Sequence, residues 1–331
     1  MKTSHTISDK LRHIARLNMS VLPPPIHEMP QLSEACGRSL FCKRDDLTGF
    51  AFGGNKIRKL DFLIREALDQ GADSIVTFGA IQSNWCRMAS VAGMVNGLEV
   101  YLVLSGKRPG RMTGNLVLDQ IAGAHIEYLD TSDEDLIKEQ ARRRCTRLEQ
   151  AGHHPYCVEV GGSTALGSMG YVMAFMEIME YGEQSGTTFD HILVAAGSAG
   201  TQAGLVVGQM IGQWPGRVIG ITVSRSAPDQ ERKVAALVRE ICNRLDMDVA
   251  DADISSRVIC DDAYLGGGYR MNTRGCQEAI QYFARREGIF LDEVYTGKAA
   301  AGLIDYCRTG KIDPAHRTLF VHTGGSVQLF E

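Results

Sequence analysis

With 331 residues, of which 44% are hydrophobic, the chain is long enough for about two domains and apolar enough for buried cores. Its 35 basic and 39 acidic side chains give a formal charge of -4 without a long basic run, which excludes nucleic acid as an expected partner. No apolar run approaches the roughly 18 residues of a membrane span, and residues 1–10 lack the apolar core of an export signal, so we expect a cytoplasmic protein without a membrane partner.

The first part of the chain leads to a glycine turn. After a short amphipathic start within residues 1–38, three prolines at 23–25 predict an extended connector. Residues 39–43 predict a short strand, and the charged loop 44–49 that follows is placed to hold the next turn, at Gly53 and Gly54.

Lys56 follows this glycine turn at the start of a predicted helix. Apolar residues continue from it at helical spacing: Ile57, Leu60, Leu63, Ile64, Ala67 and Leu68. An ammonium group at the positive end of a helix is disfavoured, so the pKa of Lys56 should fall, and this makes it a candidate Schiff-base nucleophile. The alternative is that Lys56, Arg58 and Lys59 are solvated charges on a surface helix.

From residue 74 onward, short apolar runs alternate with helical patterns, which is typical of parallel sheets flanked by helices. A glycine-rich piece, 161–170, divides two such series and is either a hinge or a plain surface loop. The predicted strands are 75–78, 100–104, 126–129 and 156–160, then 191–196, 218–223 and 318–322. The predicted helices follow Ser83, cover 112–122 and 133–150, begin at Tyr171 and Thr201, and cover 230–245. The pattern predicts an α/β protein with two lobes.

A glycine-rich turn, Gly197-Ser198-Ala199-Gly200-Thr201, joins the buried strand 191–196 to a helix. Such a turn offers backbone N–H groups and a helix N-terminus to an anion. It matches neither the dinucleotide nor the triphosphate fingerprint, so a compact phosphate monoester suits it better; the alternative is a turn whose glycines serve packing only. A phosphate site together with a reactive lysine is what pyridoxal phosphate requires.

Three further loops carry polar groups that suit a small ligand. Ser83 and Asn84 begin a helix and offer a carboxylate site, although an N-cap is the commoner use of such residues. Tyr269 and Tyr295 lie beside turns, where a phenol can relay a proton. The loop 322–326 ends a strand with hydroxyls and glycines. The nine cysteines, an odd number without metal spacing, are expected to be reduced thiols, and no metal site is predicted.

In combination, these motifs resemble the family of D-cysteine desulfhydrases and 1-aminocyclopropane-1-carboxylate deaminases, pyridoxal-phosphate enzymes with the tryptophan-synthase-β-like fold. The resemblance runs from about residue 43 to residue 330. Its motifs are Lys43-Arg44-Asp45-Asp46, the 53–60 turn, Gln82-Ser83-Asn84, the 197–204 loop, Tyr295-Thr296-Gly297-Lys298 and His322-Thr323-Gly324-Gly325.

The resemblance implies the two-lobed fold type II of pyridoxal-phosphate enzymes, each lobe a mostly parallel sheet flanked by helices. It implies a large cofactor-binding domain of residues 1–59 and 171–331, a small inserted domain of residues 60–170, and a homodimer. Lys56 would bind the cofactor as a Schiff base and Asn84 would contact its phenol oxygen. Lys59 and Gly197, Ser198, Ala199, Gly200 and Thr201 would hold its phosphate. Thr323 would face the ring nitrogen, and Ser83, Asn84, Trp85, Tyr269 and Tyr295 would face the substrate.

Within the family, the details resemble the desulfhydrase branch. The deaminases carry Glu where this chain has Thr296, and they lack the threonine that matches Thr323. A hydroxyl leaves the pyridine nitrogen closer to neutral than a carboxylate would, which suits prompt β-elimination. One departure is Trp85, because the desulfhydrases carry His there; the indole either fills space or reshapes the substrate pocket.

The implied reaction is β-elimination from a small sulfur-containing amino acid in amino-acid catabolism. Lys56 is the expected base for the α-proton, and the products are pyruvate, ammonia and the released group. D-cysteine is the first expected substrate and L-cysteate the second. The alternatives are deamination of 1-aminocyclopropane-1-carboxylate, cofactor binding without turnover, and a nicotinamide enzyme, against which the missing G-x-G-x-x-G motif argues.

Overall fold

The computed structural model describes residues 10–331, which form two mostly parallel sheets flanked by helices. Residues 1–9 lie outside the described part. The expectations of an amphipathic start and of no export signal rest partly on these residues. The α/β class with two sheets is as the sequence predicts.

The larger sheet has six strands in the order β1-β2-β10-β7-β8-β9. The strands are β1 (Ile26–Glu28), β2 (Ser39–Lys43), β7 (His191–Ala196), β8 (Arg217–Thr222), β9 (Ile259–Asp261) and β10 (Arg317–Val321). Only β1 runs antiparallel to its neighbour among these strands. Every residue of β7 is buried, as expected for a central strand covered by helices on both faces.

The smaller sheet has four parallel strands in the order β5-β4-β3-β6. They are β3 (Ser74–Ala80), β4 (Glu99–Ser105), β5 (His125–Leu129) and β6 (Pro155–Cys157). All four lie within residues 60–170, the range predicted for the small domain.

Eleven helices of seven or more residues connect and cover the strands within the described residues. They are α1 (Pro30–Cys36), α2 (Asn55–Asp69), α3 (Asn84–Val95), α4 (Gly114–Ile121), α5 (Glu134–Gln150), α6 (Ala165–Ser185), α7 (Gly200–Ile211), α8 (Ala227–Arg244), α9 (Asp251–Arg257), α10 (Arg274–Glu287) and α11 (Thr296–Thr309). The predicted domain limits, 59/60 and 170/171, fall inside α2 and α6, and the division at these residues stays a prediction.

The second half of the glycine-rich piece 161–170 is helical and buried, so the surface-loop alternative is wrong there, and a hinge at 161–164 stays a prediction. Helix α6 already begins at Ala165, six residues before the predicted start, and Gly167 and Gly170 are buried within it. A Cβ on Gly170 would collide with the carbonyl oxygen of Arg58 in α2. Gly170 therefore allows helices α2 and α6 to approach closely, whereas the sequence pattern predicted a break here.

The charges around the lysine turn are buried and paired. Asp45 is completely buried and accepts hydrogen bonds from Arg58 Nε at 2.7 Å and from Tyr171 Oη at 2.6 Å. Arg58 also binds Glu177 at 2.8 Å, and Lys43 binds the same carboxylate at 2.6 Å. The alternative of a solvated surface helix is therefore wrong for Arg58, and the charged loop holds the turn as expected.

The cysteines correct another expectation. Cys145 in α5 and Cys157 in β6 form a disulfide, with Cα atoms 6.6 Å apart, because α5 packs along the strand that follows it. The other seven cysteines are free thiols: Cys36, Cys42, Cys86, Cys242, Cys260, Cys276 and Cys307. The prediction that all nine cysteines are reduced thiols is therefore wrong.

Candidate active site

A cavity of about 400 Å3 opens at the carboxyl ends of strands from both sheets. Ligands of α/β proteins bind at this edge, where loops from several strands meet. Most of the predicted site residues line it: Lys56, Ser83, Asn84, Trp85, Gly197, Ser198, Ala199, Thr201, Tyr269, Tyr295 and Thr323. The remaining two, Lys59 and Gly200, lie behind the wall, in contact with the loop at 161–163.

Lys56 lies in the first turn of α2, and its Nζ donates a hydrogen bond to Asn55 Oδ1 at 2.8 Å. Burial lowers its pKa from 10.5 to about 8; the charge of Asp292 opposes the fall and that of Arg87 adds to it. The lowered pKa agrees with the prediction, but its first cause is burial rather than the helix dipole. A neutral amine is the form that attacks a carbonyl group, so Lys56 is suited to Schiff-base formation.

Asn55, which the sequence did not single out, links Lys56 to two other walls of the cavity. Its backbone N–H donates to the Thr323 carbonyl at 3.0 Å, and its Nδ2 donates to Thr201 Oγ1 at 2.9 Å. The chain comes close to Thr323 here, because a Cβ on Gly324 would lie 2.7 Å from the Cα of Gly54. The glycine turn therefore allows Lys56, Thr201 and Thr323 to share one site.

The loop between β7 and α7 is suited to an anion. Ala199, the N-cap residue of α7, has φ 79° and no side chain that can cap the helix. The N–H of Gly200 donates to Ser163 Oγ at 3.2 Å, and the next N–H groups of the first turn have no intrahelical acceptor. The positive end of α7 is thus directed at whatever binds the loop.

Lys59 places a buried ammonium behind this loop. Its Nζ donates to the Gly161 carbonyl at 2.9 Å and to Ser163 Oγ at 3.2 Å, both of them neutral acceptors. Burial and the nearby Lys56 hold the pKa of Lys59 well below its ordinary value. In the described part of the chain no carboxylate pairs with Lys59. An anion at the loop would supply the missing countercharge.

Ser83 and Asn84 form the opposite corner of the cavity. Ser83 Oγ accepts a hydrogen bond from the N–H of Cys86 at 3.2 Å, so the N-cap interpretation is confirmed, and Ser83 also lines the cavity. Asn84 Oδ1 accepts from Asn115 Nδ2 at 2.9 Å. Because the oxygen of Asn84 is bonded to Asn115, its amide N–H groups are left for a ligand.

The Trp85 indole lies mostly in the core. Its side chain is 2% exposed, and its Nε1 donates to Thr77 Oγ1 at 2.8 Å. A Cβ on Gly162 would lie 2.7 Å from the indole ring, so the ring fills the space between β3 and the loop that carries Gly162. This arrangement favours the space-filling interpretation; a substrate contact for Trp85 stays a prediction.

The two predicted tyrosines meet at the cavity, with their hydroxyl oxygens 2.6 Å apart. Burial raises the pKa of Tyr295 well above its ordinary value, so this phenol keeps its proton at neutral pH. Asp292, which the sequence analysis missed, holds the turn by accepting from the N–H groups of Val294 and Tyr295 at 2.8 and 2.7 Å. An aspartate two to four residues before a helix start is a capping signal that could have revealed it.

At the mouth of the cavity, basic and acidic side chains from the two sheets meet. Arg225 follows β8, and its Nη2 lies 2.9 and 2.7 Å from the carboxylate oxygens of Glu134 in α5. Lys233 of α8 lines the same mouth, and burial, followed by the charge of Arg225, lowers its pKa. Two of these three side chains are basic and one is acidic, so basic groups are in excess at the mouth.

Comparison with known proteins identifies the family. The model of the pyridoxal-phosphate dependent enzyme family matches residues 17–324. The chain belongs to this family. Two relatives are the D-cysteine desulfhydrases of Klebsiella pneumoniae strain 342, 41% identical over 97% of both chains, and of Salmonella typhi, 40% identical over 97% of both. A crystal structure of an ACC deaminase homologue superposes with a TM-score of 0.90 at 38% identity, covering 98% of this chain and 96% of that one.

The family confirms the predicted cofactor and the fold type II architecture of pyridoxal-phosphate enzymes. The site fits pyridoxal phosphate on its own geometry. The buried Lys59 lacks an anionic partner, and the N-terminus of α7 lacks a side-chain cap. A bound phosphate would supply the anion for Lys59 and hydrogen-bond acceptors for the N–H groups of the helix. Lys56 supplies an amine of lowered pKa for the aldehyde.

Residues 10–331 contain no helix that is both long and apolar enough to cross a membrane.

Proposed function

We propose that this pyridoxal-phosphate enzyme is a lyase that eliminates the Cβ substituent of D-cysteine to give pyruvate, ammonia and sulfide. The observation that carries the proposal is the position of Lys56, an amine with a pKa of about 8, in one cavity with two phenols and an anion loop. The likeness to the two D-cysteine desulfhydrases over nearly the whole chain supports the choice of substrate.

The cofactor, when bound, supplies an electron sink for the bond that breaks at Cα. Lys56 would hold it through its amino group, and the same amine is suited to act as the base for the α-proton of the substrate. Lys59 and the loop from Gly197 to Thr201 hold the phosphate, because they combine a buried ammonium with N–H groups at a helix start. Asn84 would donate to the phenol oxygen, and Thr323 would face the ring nitrogen; both residues line the cavity.

The start of α3 holds the substrate carboxylate. Ser83 contributes its hydroxyl, and the N–H groups of Asn84 and Trp85 in the first turn of the helix have no intrahelical acceptor. Across the cavity, Tyr295 keeps its proton because burial raises its pKa, so its phenol is a donor that can guide a proton at Cα or at the leaving group. Tyr269, hydrogen-bonded to Tyr295, orients that phenol.

The leaving group decides between two substrates. A thiolate leaves Cβ without prior protonation. Cysteine is therefore a natural substrate for this site, which offers a phenol donor but no carboxylic acid assigned to protonate the leaving group. Arg225 and Lys233 at the cavity mouth favour a second candidate, L-cysteate, because a sulfonate carries a full negative charge. In that case the protein would be a sulfo-lyase that releases sulfite.

The deciding experiment measures product release by the purified protein loaded with pyridoxal phosphate. D-cysteine, L-cysteine, L-cysteate, D-serine and 1-aminocyclopropane-1-carboxylate are supplied in parallel, and pyruvate, α-ketobutyrate, sulfide and sulfite are measured. Pyruvate with sulfide from D-cysteine alone supports the proposal. Sulfite from L-cysteate selects the second candidate, and α-ketobutyrate selects the deaminase. A loaded protein that is silent on all five would overturn the enzymatic assignment.

The expected working unit is a homodimer, as the family resemblance implies, and its expected compartment, from the sequence, is the cytoplasm. Light scattering on the loaded protein tests the dimer, since a mass near that of one chain, 36.2 kDa, would contradict it. Cell fractionation with an antibody against the protein tests the compartment.

A further inference from the structure

A buried amide network stands behind the wall of the cavity. Asn115 in α4 is completely buried, and its backbone N–H donates to Gln82 Oε1 at 2.8 Å. Its side-chain Nδ2 donates to two oxygens, the Gln82 carbonyl at 3.1 Å and Asn84 Oδ1 at 2.9 Å. Helix α4 is thereby joined to the first residue of α3, which lines the cavity.

The chemistry of these partners fixes which end of each amide faces which neighbour. A backbone carbonyl can only accept a hydrogen bond, so Asn115 must present its NH2 group to Gln82. The same NH2 group lies against Asn84, which must therefore present its oxygen. By elimination, the NH2 group of Asn84 is the end left for the cavity. Asn115 sets this polarity although it does not line the cavity.

We propose that Asn115 is a positioning residue that keeps the amide of Asn84 in its donating orientation, so that an N–H group meets the phenol oxygen of the cofactor. The inference rests on the cofactor placement proposed above but not on the identity of the substrate. A donor at that position stabilises an anionic oxygen and favours the proton on the Schiff-base nitrogen. A carbonyl there would favour the opposite arrangement, with the proton on the oxygen.

The side chain of Asn115 makes both of its hydrogen bonds to Gln82 and Asn84 through its NH2 group. Asn115 Oδ1 is buried and has no hydrogen-bond partner among residues 10–331. A buried unpaired acceptor is costly, and an apolar residue of similar size would avoid the cost. The side chain is therefore better suited to directing two N–H bonds than to filling space.

Asn115→Asp tests the inference, because it keeps the size of the side chain but replaces the NH2 group by an oxygen. Asn84 then turns its own NH2 group toward the new carboxylate and its oxygen toward the cofactor. The readout is the absorbance of the loaded protein without substrate. We expect the ratio of the visible Schiff-base band to the near-ultraviolet band of the oxygen-protonated form to fall by about tenfold.

Gln328→Glu is the matched control. Gln328 Nε2 donates to the same Gln82 carbonyl at 3.0 Å but makes no bond to Asn84, and the substitution is again amide to carboxylate. We expect this variant to keep the parent band ratio. An unchanged ratio in a folded, loaded Asn115→Asp protein would overturn the inference, and so would an equal fall in the control.

A second variant covers the case in which a buried carboxylate prevents folding. Asn115→Ala removes the donor without adding charge, and we expect a smaller fall in the band ratio, about threefold. An unchanged ratio would overturn the inference. A wild-type protein without any Schiff-base band would overturn the cofactor placement as well. A protein with normal bands but no turnover would overturn only the proposed substrate.

Discussion

Arg225 and Glu134 form a two-pronged ion pair across the mouth of the cavity, with Nη2 of the arginine 2.9 and 2.7 Å from the two carboxylate oxygens. Arg225 follows a strand of the six-stranded sheet, whereas Glu134 begins a helix that covers the four-stranded sheet. The arginine also donates to the Gly197 carbonyl at 3.2 Å, so the pair is anchored to the anion loop. Both side chains line the cavity that also holds Lys56.

Glu134→Gln should alter substrate capture more than stability. The carboxylate is 70% exposed, so its loss changes the free energy of unfolding by less than about 1 kcal/mol. The freed guanidinium attracts an anionic side chain more strongly, and we expect KM for L-cysteate, or its inhibition constant against D-cysteine where only D-cysteine is turned over, to fall by up to about fivefold at low salt. Steady-state kinetics at two salt concentrations measure this change.

Glu139→Gln is the control for that variant, because Glu139 lies on the same helix and pairs on the surface with Arg143, outside the cavity lining. It should leave KM for both sulfur amino acids unchanged. Equal effects of the two variants would mean that the net charge of the helix, rather than the ion pair at the mouth, controls capture.

The pKa of Lys56 predicts how the protein takes up its cofactor. Only the neutral amine attacks the aldehyde, and its fraction rises as the pH rises through the pKa of about 8. Between pH 6 and pH 8 we expect the rate of Schiff-base formation by cofactor-free protein to rise by about fiftyfold, and to level off above that. Stopped-flow absorbance follows the band. A rate that keeps rising steeply to pH 10 would mean an ordinary lysine.

Lys56→Ala should abolish the Schiff-base band, whereas Lys59→Ala should keep it at saturating cofactor. Lys59 contacts the loop rather than the aldehyde, so its loss weakens phosphate binding without removing the amine. Spectral titration with pyridoxal phosphate separates the two effects. A Lys56→Ala protein that retains the band and full turnover would remove Lys56 from the site.

The sequence predicted those parts of the site that depend on local patterns. Strand β7 has the predicted limits, since a central parallel strand is apolar throughout, and Ser83 caps a helix as its position suggests. Helix α11 was missed because Gly297 near its start argues against a helix. That glycine is needed where a Cβ would lie 2.6 Å from the Asp292 carbonyl, and such tertiary packing overrides propensity.

Long-range partners were beyond the reach of the sequence. Asn55 bonds to Thr201, 146 residues away, and Lys59 bonds to Ser163, 104 residues away. No period or motif in either segment indicates the other. The sequence could therefore indicate the groups that bind a phosphate and an aldehyde, but not the neutral side chains that orient them, because only the folded chain brings these together.

Tyr295→Phe should slow elimination while the cofactor stays bound. The variant keeps the ring but loses the hydroxyl that meets Tyr269 at 2.6 Å, and with it the proton donor on that side of the cavity. We expect kcat to fall by about a hundredfold and the Schiff-base band to be unchanged. Tyr101→Phe is the control, since that hydroxyl binds Glu99 away from the cavity. Unchanged kinetics in Tyr295→Phe would end its catalytic assignment.

Trp85→His should cost stability rather than change the substrate. The indole is 2% exposed, binds Thr77 and packs against Gly162, so a smaller polar ring leaves a cavity. We expect the free energy of unfolding to fall by about 3 kcal/mol, and by about 2 kcal/mol for Trp85→Phe, which loses the Thr77 bond but keeps more of the packing. Urea unfolding measures both.

The same two variants decide what Trp85 does for specificity. If the indole only fills the core, the ratio of KM for D-cysteine to the inhibition constant of L-cysteate stays at its parent value in each folded variant. The Trp85 side chain also lines the cavity, so this ratio tests its role in specificity more directly than the unfolding measurement does. A large change in the ratio for Trp85→His, with an unfolding curve like that of the parent, would make Trp85 a wall of the substrate site.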